Sequence, residues 1–358
     1  MDRRLSIEWL LCGWPSRLRL VWHSCLRCVL MLAATLLAPQ IALAQAIDVA
    51  TQSRLLDRAA AAVVGVRTKA IEDARSNRTL GSAREGSGVV IDGEGLVLTI
   101  GYLILEADQV QLVTDDERVI PGRVVGYDTA SGFGLVQALT PLRIEAAPLG
   151  HSGRIEHHEP LMIASGGEAG AVSAARMVSR RSFAGYWEYR IDGALFTAPA
   201  RPDHSGAGLF NARGELVGIG SLIVANAMGN DQARSPGNMF VPIDLLPPIL
   251  DEMRKSGTSA ASRRAWMGLN CVEDEGQVKV VRVNDDSPAD VAGLQEGDRI
   301  LRIDGVVVRT LDQLWTTLWR NGPAEREVNL EIQREGNKQT VKVFTVDREK
   351  TLKRSQGV

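Results

Sequence analysis

Ser205 stands in RPDHSGAGLF, between His204 and Gly206, where a hydroxyl on a tight turn has the makings of a nucleophile. A serine hydroxyl attacks a carbonyl only when a neighbouring base takes its proton, and that base must titrate near pH 7 within hydrogen-bond reach. The chain has five histidines; His23 falls in an apolar leader and none of the other four precedes residue 151. His204 adjoins Ser205, but neighbouring side chains on such a turn diverge, so the imidazole would have to fold back to serve it. A second cluster, HSGRIEHHE, places His151, Glu156, His157, His158 and Glu159 within nine residues, types that can ligate a metal. Adjacent residues on an extended chain point to opposite faces, which argues against joint ligation. Neither a metal nor a cofactor is expected.

The elements that must position these residues are short strands. Apolar runs of four to eight residues dominate from Val63 to about Val241: GSGVVID, GLVLTI, QVQLVT, RVVGYD, PLMIASG, GELVGIGSLIV and NMFVPI. They are separated by DGEG, DDER and NARGE, which are turn compositions. LVLTIGYLILEADQV, residues 96–110, reads as a buried strand running into a short helix. Many strands with few helices between them predict a mainly β fold, a sandwich or a pair of barrels, and the 35 glycines suit its tight turns. DVATQSRLLDRAAAAVV predicts a helical lead-in. PIDLLPPILDEMRK predicts a terminal helix with Asp244 as a candidate N-cap. SGTSAASRR, small and polar, reads as the linker. From Ala265 a second unit of about ninety residues follows, with strands in AWMGLN, VKVVRV, DRILRIDG, EVNLEIQRE and KQTVKVFTV and helices in SPADVAG and TLDQLWTTLWRN. The expected organisation is a leader at 1–44, a first domain at 45–250, a linker at 251–264, a second domain at 265–348 and a tail at 349–358.

The leader CVLMLAATLLAPQIALA follows Arg17, Arg19 and Arg27 and ends in Ala42-Leu43-Ala44. Small residues at the first and third positions of that triplet predict a signal peptide cleaved after Ala44; an uncleaved membrane anchor is the alternative. Removing residues 1–44 takes five arginines and two acidic residues from 41 basic and 43 acidic side chains, which leaves a net charge near −5. No basic face for nucleic acid is implied. Three of the four cysteines leave as well. Cys271 alone remains, so no internal disulfide can form in an exported chain, and the residue reads as a small buried hydrophobe.

GSGVVIDGEGLVLT, DDERVIPGRVVGYDTASGFGLVQA and HSGAGLFNARGELVGIGSLI, in that order, resemble the trypsin-like protease domain of the HtrA (Deg) family. The second unit resembles that family's PDZ domain. The resemblance implies a trypsin/chymotrypsin-like double β-barrel followed by a PDZ domain. In the family the catalytic histidine lies in a TNxHVV-like stretch, the aspartate in DxxxDLAL and the serine in GNSGGAL. By position, Tyr102 in TIGYLIL stands in the histidine's place and Gly132 in DTASGFGLV in the aspartate's, while Ser205 is retained. A phenol with an ordinary pKa near 10 is no base at neutral pH, and glycine cannot orient an imidazole. Such losses cost about 10⁴ to 10⁶ in turnover. The family's oxyanion hole uses the N–H groups of the serine and of the glycine two before it. Asp203 takes that glycine's place, bringing a carboxylate where positive potential is wanted. Ala207 replaces the glycine two after the serine. Asp128 is expected to serve the strand-end turn, and HSGRIEHHE to form an exposed turn between barrel strands.

The resemblance also implies that Met267, Gly268 and Leu269 donate backbone N–H groups to a ligand's terminal carboxylate, as PDZ domains add a chain end to an exposed sheet edge. Leu311, Leu314, Trp315 and Leu318 fall on one helical face, with Leu314 and Trp315 as candidates to line the groove and burial in the core as the alternative. The expected protein is therefore a periplasmic pseudoprotease that binds peptide C-termini or unfolded proteins as a scaffold or chaperone-like partner in protein quality control. An active HtrA relative is an expected partner, and a homo-oligomer, a trimer by resemblance, the expected assembly. The alternative is an active serine endopeptidase that uses Ser205 with a displaced or partner-supplied base.

Overall fold

A computed structural model describes residues 49–167, 170–229, 234–320 and 322–353; the expected leader lies outside the described residues. The lead-in is helical over residues 49–61. Six strands follow: β1 (Val63–Ala70), β2 (Ala83–Val90), β3 (Leu96–Ile100), β4 (Ala107–Val113), β5 (Val119–Tyr127) and β6 (Phe133–Ala138). They close into an antiparallel barrel in the order β1-β2-β3-β6-β5-β4. Strand β3 is buried at all five positions, as its unbroken apolar run requires. It runs directly into the short helix α1 (Gly101–Ile104).

A second closed barrel contains β7 (Pro160–Ala164), β8 (Val172–Gly185), β9 (Tyr189–Ala198), β10 (Gly208–Phe210), β11 (Leu216–Val224) and β12 (Gly237–Pro242), in the order β10-β11-β12-β9-β8-β7. The long β8–β9 hairpin is the element that apolar runs do not reveal. VSAARMVSRRSFAG intersperses its apolar residues with serines and arginines, and much of the strand is exposed or half-buried. Apolar side chains from both barrels pack into one core that includes Leu98, Phe133, Phe196 and Phe210, all fully buried.

The predicted terminal helix is shorter than its pattern. A 3₁₀ turn occupies Ile243–Leu245, and helix α2 (Leu250–Ser256) starts without a side-chain cap. Asp244 is not an N-cap of α2: its carboxylate accepts from the Gly153 N–H at 2.7 Å and lies 3.5 Å from His151 Nδ1. Two prolines at 247 and 248 interrupt the helical ladder, which explains the late start. Gly257 closes α2 in the left-handed region, φ 80°, with its N–H on the Met253 carbonyl.

The segment that follows is not a free linker. Ser259 and Ser262 are buried, and each hydroxyl donates to Asp128 Oδ1 at 2.5 Å. Asp128 Oδ2 accepts from the N–H and hydroxyl of Ser131 at 2.7 and 2.6 Å. The Tyr127 N–H adds a bond to the Gly257 carbonyl at 2.8 Å. Asp128 therefore serves the turn before β6, as expected, and also ties the interdomain segment to the first barrel. Short polar side chains read as flexible only when nothing accepts their hydrogen bonds; here one buried carboxylate does.

The second unit is a sheet in the order β14-β15-β16-β18-β19, built from β14 (Leu269–Asp274), β15 (Gln277–Val283), β16 (Arg299–Ile303), β18 (Glu327–Arg334) and β19 (Asn337–Phe344). Strand β17 (Val306–Val307) pairs with β16, and β13 (Ala265–Trp266) pairs with β20 (Val346–Asp347). Helices α3 (Pro288–Val291) and α4 (Leu311–Arg320) complete it. Leu311, Leu314, Trp315 and Leu318 form the buried face of α4. Cys271 is fully buried among them.

Burial opposes ionisation of Asp128, but its bonds from Ser131, Ser259 and Ser262 outweigh that and hold the carboxyl below the usual aspartate range. A depressed folded-state pKa means the contribution is complete above the ordinary value near 4 and is lost as pH falls through the folded value. Asp128→Ala is expected to lower stability by about 2–3 kcal/mol in urea titration at pH 7. It should also open residues 257–264 to limited proteolysis, and unchanged cleavage there would refute the anchoring role.

Candidate active site and peptide groove

Tyr102 is the second residue of α1, immediately after the buried strand β3. Its phenol oxygen lies 2.8 Å from Ser205 Oγ and 2.8 Å from the Ser221 carbonyl oxygen. A phenol has one proton and a carbonyl only accepts, so satisfying both contacts commits the Tyr102 O–H to Ser221 and turns the Ser205 O–H toward the phenol oxygen. Burial pushes the Tyr102 pKa up to about 12, against a lowering by the Ser205 contact. The phenol in contact with Ser205 is thus un-ionised at neutral pH and carries no phenolate that could act as a base.

Gly132 lies in the turn between β5 and β6. Its carbonyl accepts from the Gly101 N–H at 2.7 Å, which fastens this turn to the start of α1. Gly132 has φ +82°, and a Cβ there would stand 2.5 Å from Tyr189 Oη. That hydroxyl donates to the Ser131 carbonyl at 2.8 Å. A tyrosine from β9 therefore fills the space that an acidic side chain at 132 would need, in a backbone conformation that also disfavours one.

The Asp203 carboxylate pairs with Arg201, which donates from Nε at 2.8 Å and again from Nη2, and it accepts from Ser165 Oγ at 2.5 Å. Although burial raises its pKa, these partners hold it below the usual range. The carboxylate that Asp203 brings to the serine turn is thus neutralised locally. Its backbone is not among the positive-φ residues of the chain. His204 points Nδ1 at the carbonyls of Arg201 and Pro202, at 3.1 and 3.0 Å, and burial lowers its pKa despite those bonds. The Ser205 carbonyl accepts from the Ser87 N–H at 2.8 Å, tying the serine turn of the second barrel to β2 of the first.

The histidine cluster occupies the connection between the barrels, around a 3₁₀ turn at Ser152–Arg154. His157 Nε2 lies 2.6 Å from the Val178 carbonyl, and His158 sits in the left-handed region at φ 65°. Among the described residues no three His, Cys, Asp or Glu side chains converge as metal ligands.

In the second unit, Met267, Gly268 and Leu269 aim their N–H groups at one carboxylate, and it belongs to this chain. Glu188 Oε1 accepts from Met267, Gly268 and Leu269 at 3.2, 2.7 and 2.9 Å, and Oε2 from Met267 at 3.1 Å. Gly268 has φ +86°, and a Cβ would stand 2.2 Å from the Ser287 Cβ, so only glycine lets the loop close this tightly. Burial drives the Glu188 pKa above the usual range, opposed by the three amides and by Arg348. The sequence implies amides left free for a ligand; the folded chain instead fills them with Glu188. Leu314 and Trp315 are fully buried, and the Trp315 indole N–H donates to the Gly185 carbonyl at 2.9 Å. Trp315 thus belongs to the core and at the same time holds the hairpin that carries Glu188.

Two closed barrels with the serine turn at their junction, followed by a domain whose loop amides hold a carboxylate, define a trypsin-like protease architecture with an attached second domain. Residues 86–219 match the trypsin-like peptidase domain family, and residues 265–345 match the PDZ domain family. The chain is 29% identical over 284 residues to "Probable periplasmic serine endoprotease DegP-like" of Pseudomonas fulva (strain 12-X), covering 72% of this chain and 55% of that protein. A protein of the same name from Hahella chejuensis (strain KCTC 2396) is 27% identical over 286 residues, with 72% and 56% covered. The chain spans just over half the length of these curated relatives. Among solved structures, HtrA-type protease AlgW with decapeptide has TM-score 0.51 at 20% identity, covering 83% of this chain and 98% of that one. The same protease with tripeptide has TM-score 0.50 at 22% identity, with 83% and 97% covered. The chain thus carries a trypsin-like peptidase domain followed by a PDZ domain, and it is similar over both to HtrA-type serine proteases. Among the described residues no helix is long and apolar enough to cross a membrane.

Sequence reasoning missed Glu188, Tyr189 and Ser221. The one available signal was YWEY, residues 186–189, an acid set among aromatics between two polar stretches. Gly132→Asp is expected to lower stability by about 1–3 kcal/mol in thermal unfolding, through overpacking against Tyr189 and backbone strain. Removing the Tyr189 ring by Tyr189→Ala should relieve the steric part in the double variant, and strict additivity of the two losses would contradict the clash.

Proposed function

We propose that this chain is an exported, periplasmic HtrA-like pseudoprotease that binds peptide or unfolded-protein segments through its PDZ domain. The observation that carries this reading is the contact between the Tyr102 phenol and Ser205. Acyl transfer begins with removal of the serine proton, and the group bonded to the Ser205 hydroxyl is a phenol whose own proton goes to the Ser221 carbonyl and whose pKa, pushed up to about 12, keeps it un-ionised at neutral pH. Gly132 supplies no carboxylate, and the space beside it is taken by Tyr189. His204 is held toward the carbonyls of Arg201 and Pro202. Among the described residues no group bonded to Ser205 does the work of the imidazole, so binding is the activity that remains.

The binding half of the proposal rests on three consecutive amides that meet a carboxylate, the recognition device for a chain terminus. The similarity to AlgW, solved with a decapeptide and with a tripeptide, and to probable periplasmic endoproteases supports the substrate class and the compartment. Cleavage of the leader after Ala44, a trimeric assembly, association with an active HtrA relative and a scaffold or chaperone-like role in envelope quality control complete the reading.

The purified mature chain is expected to take up no stoichiometric fluorophosphonate label and to digest unfolded casein no faster than Ser205→Ala. A one-to-one adduct that is absent from Ser205→Ala would establish an active serine endopeptidase instead. Because the acid's place is filled, Tyr102→His alone is expected to leave casein cleavage within about tenfold of that background.

A further inference from the structure

The tip of the β8–β9 hairpin, residues 185–189, does more than place one carboxylate. Strand β14 is an edge of the second sheet, paired with β15 on one side only. On its other side the Cys271 N–H donates to the Tyr186 carbonyl at 2.8 Å. Across the groove, the Trp315 indole on α4 donates to the Gly185 carbonyl at 2.9 Å. Arg190 Nε donates to Asp312 Oδ1 at 2.7 Å, also on α4, and Ala184 packs against the core of the second unit. The Arg348 guanidinium reaches the Glu188 carbonyl at 3.2 Å. The hairpin tip is thus bonded to the edge strand, to the facing helix and to the carboxylate loop at once. Those are the three surfaces that hold a terminal peptide in a groove of this kind.

We infer that residues 185–189 are an internal ligand of the PDZ groove, with the Glu188 carboxylate in the place of a chain terminus, so that a peptide enters only when the hairpin tip leaves. This rests on the peptide-binding reading above and adds its regulation. The physical reason for the occupancy lies in the loop. Its three amides belong to buried or nearly buried residues, and an unpaired buried N–H costs about 1–3 kcal/mol. The loop therefore favours a carboxylate at all times, and Glu188 is tethered nearby while a peptide must arrive from solution. A tethered ligand acts at an effective concentration of about millimolar. A free peptide then binds with an affinity reduced by the fraction of molecules whose groove is open. Ligand entry removes Glu188 from a buried site, so the hairpin that carries it changes state with the groove.

The test uses the full mature chain, Glu188→Ala, and Glu188→Gln as the near-isosteric variant that keeps packing while removing charge. Two readouts are taken. One is hydrogen–deuterium exchange of residues 265–271. The other is fluorescence polarisation with an N-terminally labelled pool of random decapeptides bearing free C-terminal carboxylates, beside the same pool amidated. Both variants are expected to exchange residues 265–271 faster than the parent and to bind the free-acid pool at least about tenfold more tightly, with the amidated pool bound by none. If the variants bind the free-acid pool no tighter than the parent, the latch is overturned while peptide binding stands. If exchange in that segment speeds up in both variants and no protein binds the pool, the latch is supported and the peptide-binding reading falls. Unchanged exchange in both variants overturns the latch whatever the peptide does.

Discussion

A buried backbone N–H must find an acceptor, and three successive ones, at Met267, Gly268 and Leu269, find theirs in Glu188. Much of the structure is arranged around that demand. The β8–β9 hairpin has to be long enough to reach the second unit. The interdomain segment has to be held, so Ser259 and Ser262 are drawn onto Asp128. Gly268 has to remain glycine, because any side chain would strike Ser287. A carboxylate that is costly to desolvate is tolerated here because several donors converge on it, as the opposed effects on its pKa reflect.

Glu188 and Tyr189 are neighbours in sequence and face different sites. The glutamate lies in the carboxylate loop, and the tyrosine hydroxyl meets the Ser131 carbonyl beside Gly132. Trp187 stacks on Tyr189 with nearly parallel rings, 5.6 Å between centroids. From Gly132 the contacts continue through the Gly101 N–H to α1 and Tyr102, and from Tyr102 to Ser205. This is a contiguous set of packed and hydrogen-bonded groups between the peptide groove and the serine turn. Contiguity supplies a route for coupling and does not measure it.

The serine turn has the frame of a hydrolase with different contents. Barrel closure, the bond from Ser87 to the Ser205 carbonyl and the short helix after β3 hold each position in place. Tyr102 adds two hydrogen bonds where a base would have to stay available, and Arg201 neutralises Asp203. Each replacement satisfies its own polar atoms locally. At Ser205 the group in contact is the Tyr102 phenol, which also bonds the Ser221 carbonyl and whose pKa is pushed up to about 12 by burial.

Most of the architecture was legible in the chain itself. Short apolar runs between turn residues mark the barrel strands because a strand with a buried face repeats every second residue or becomes wholly apolar. The colinear order of the motifs identified Tyr102, Gly132 and Ser205 as the positions to inspect. The β8–β9 hairpin escaped, since strands with exposed faces carry arginines and serines and leave no apolar run. SGTSAASRR is legible as a linker, but not its anchoring, because the carboxylate that holds it lies more than a hundred residues earlier. The helix pattern around residues 242–255 overran its true start because apolar spacing does not register the broken ladder at two prolines. Above all, nothing local distinguishes Glu188 from any other acid at a hairpin tip. Its role is created by three amides about eighty residues away, and only the folded chain brings a donor set and an acceptor that far apart in sequence into hydrogen-bond distance.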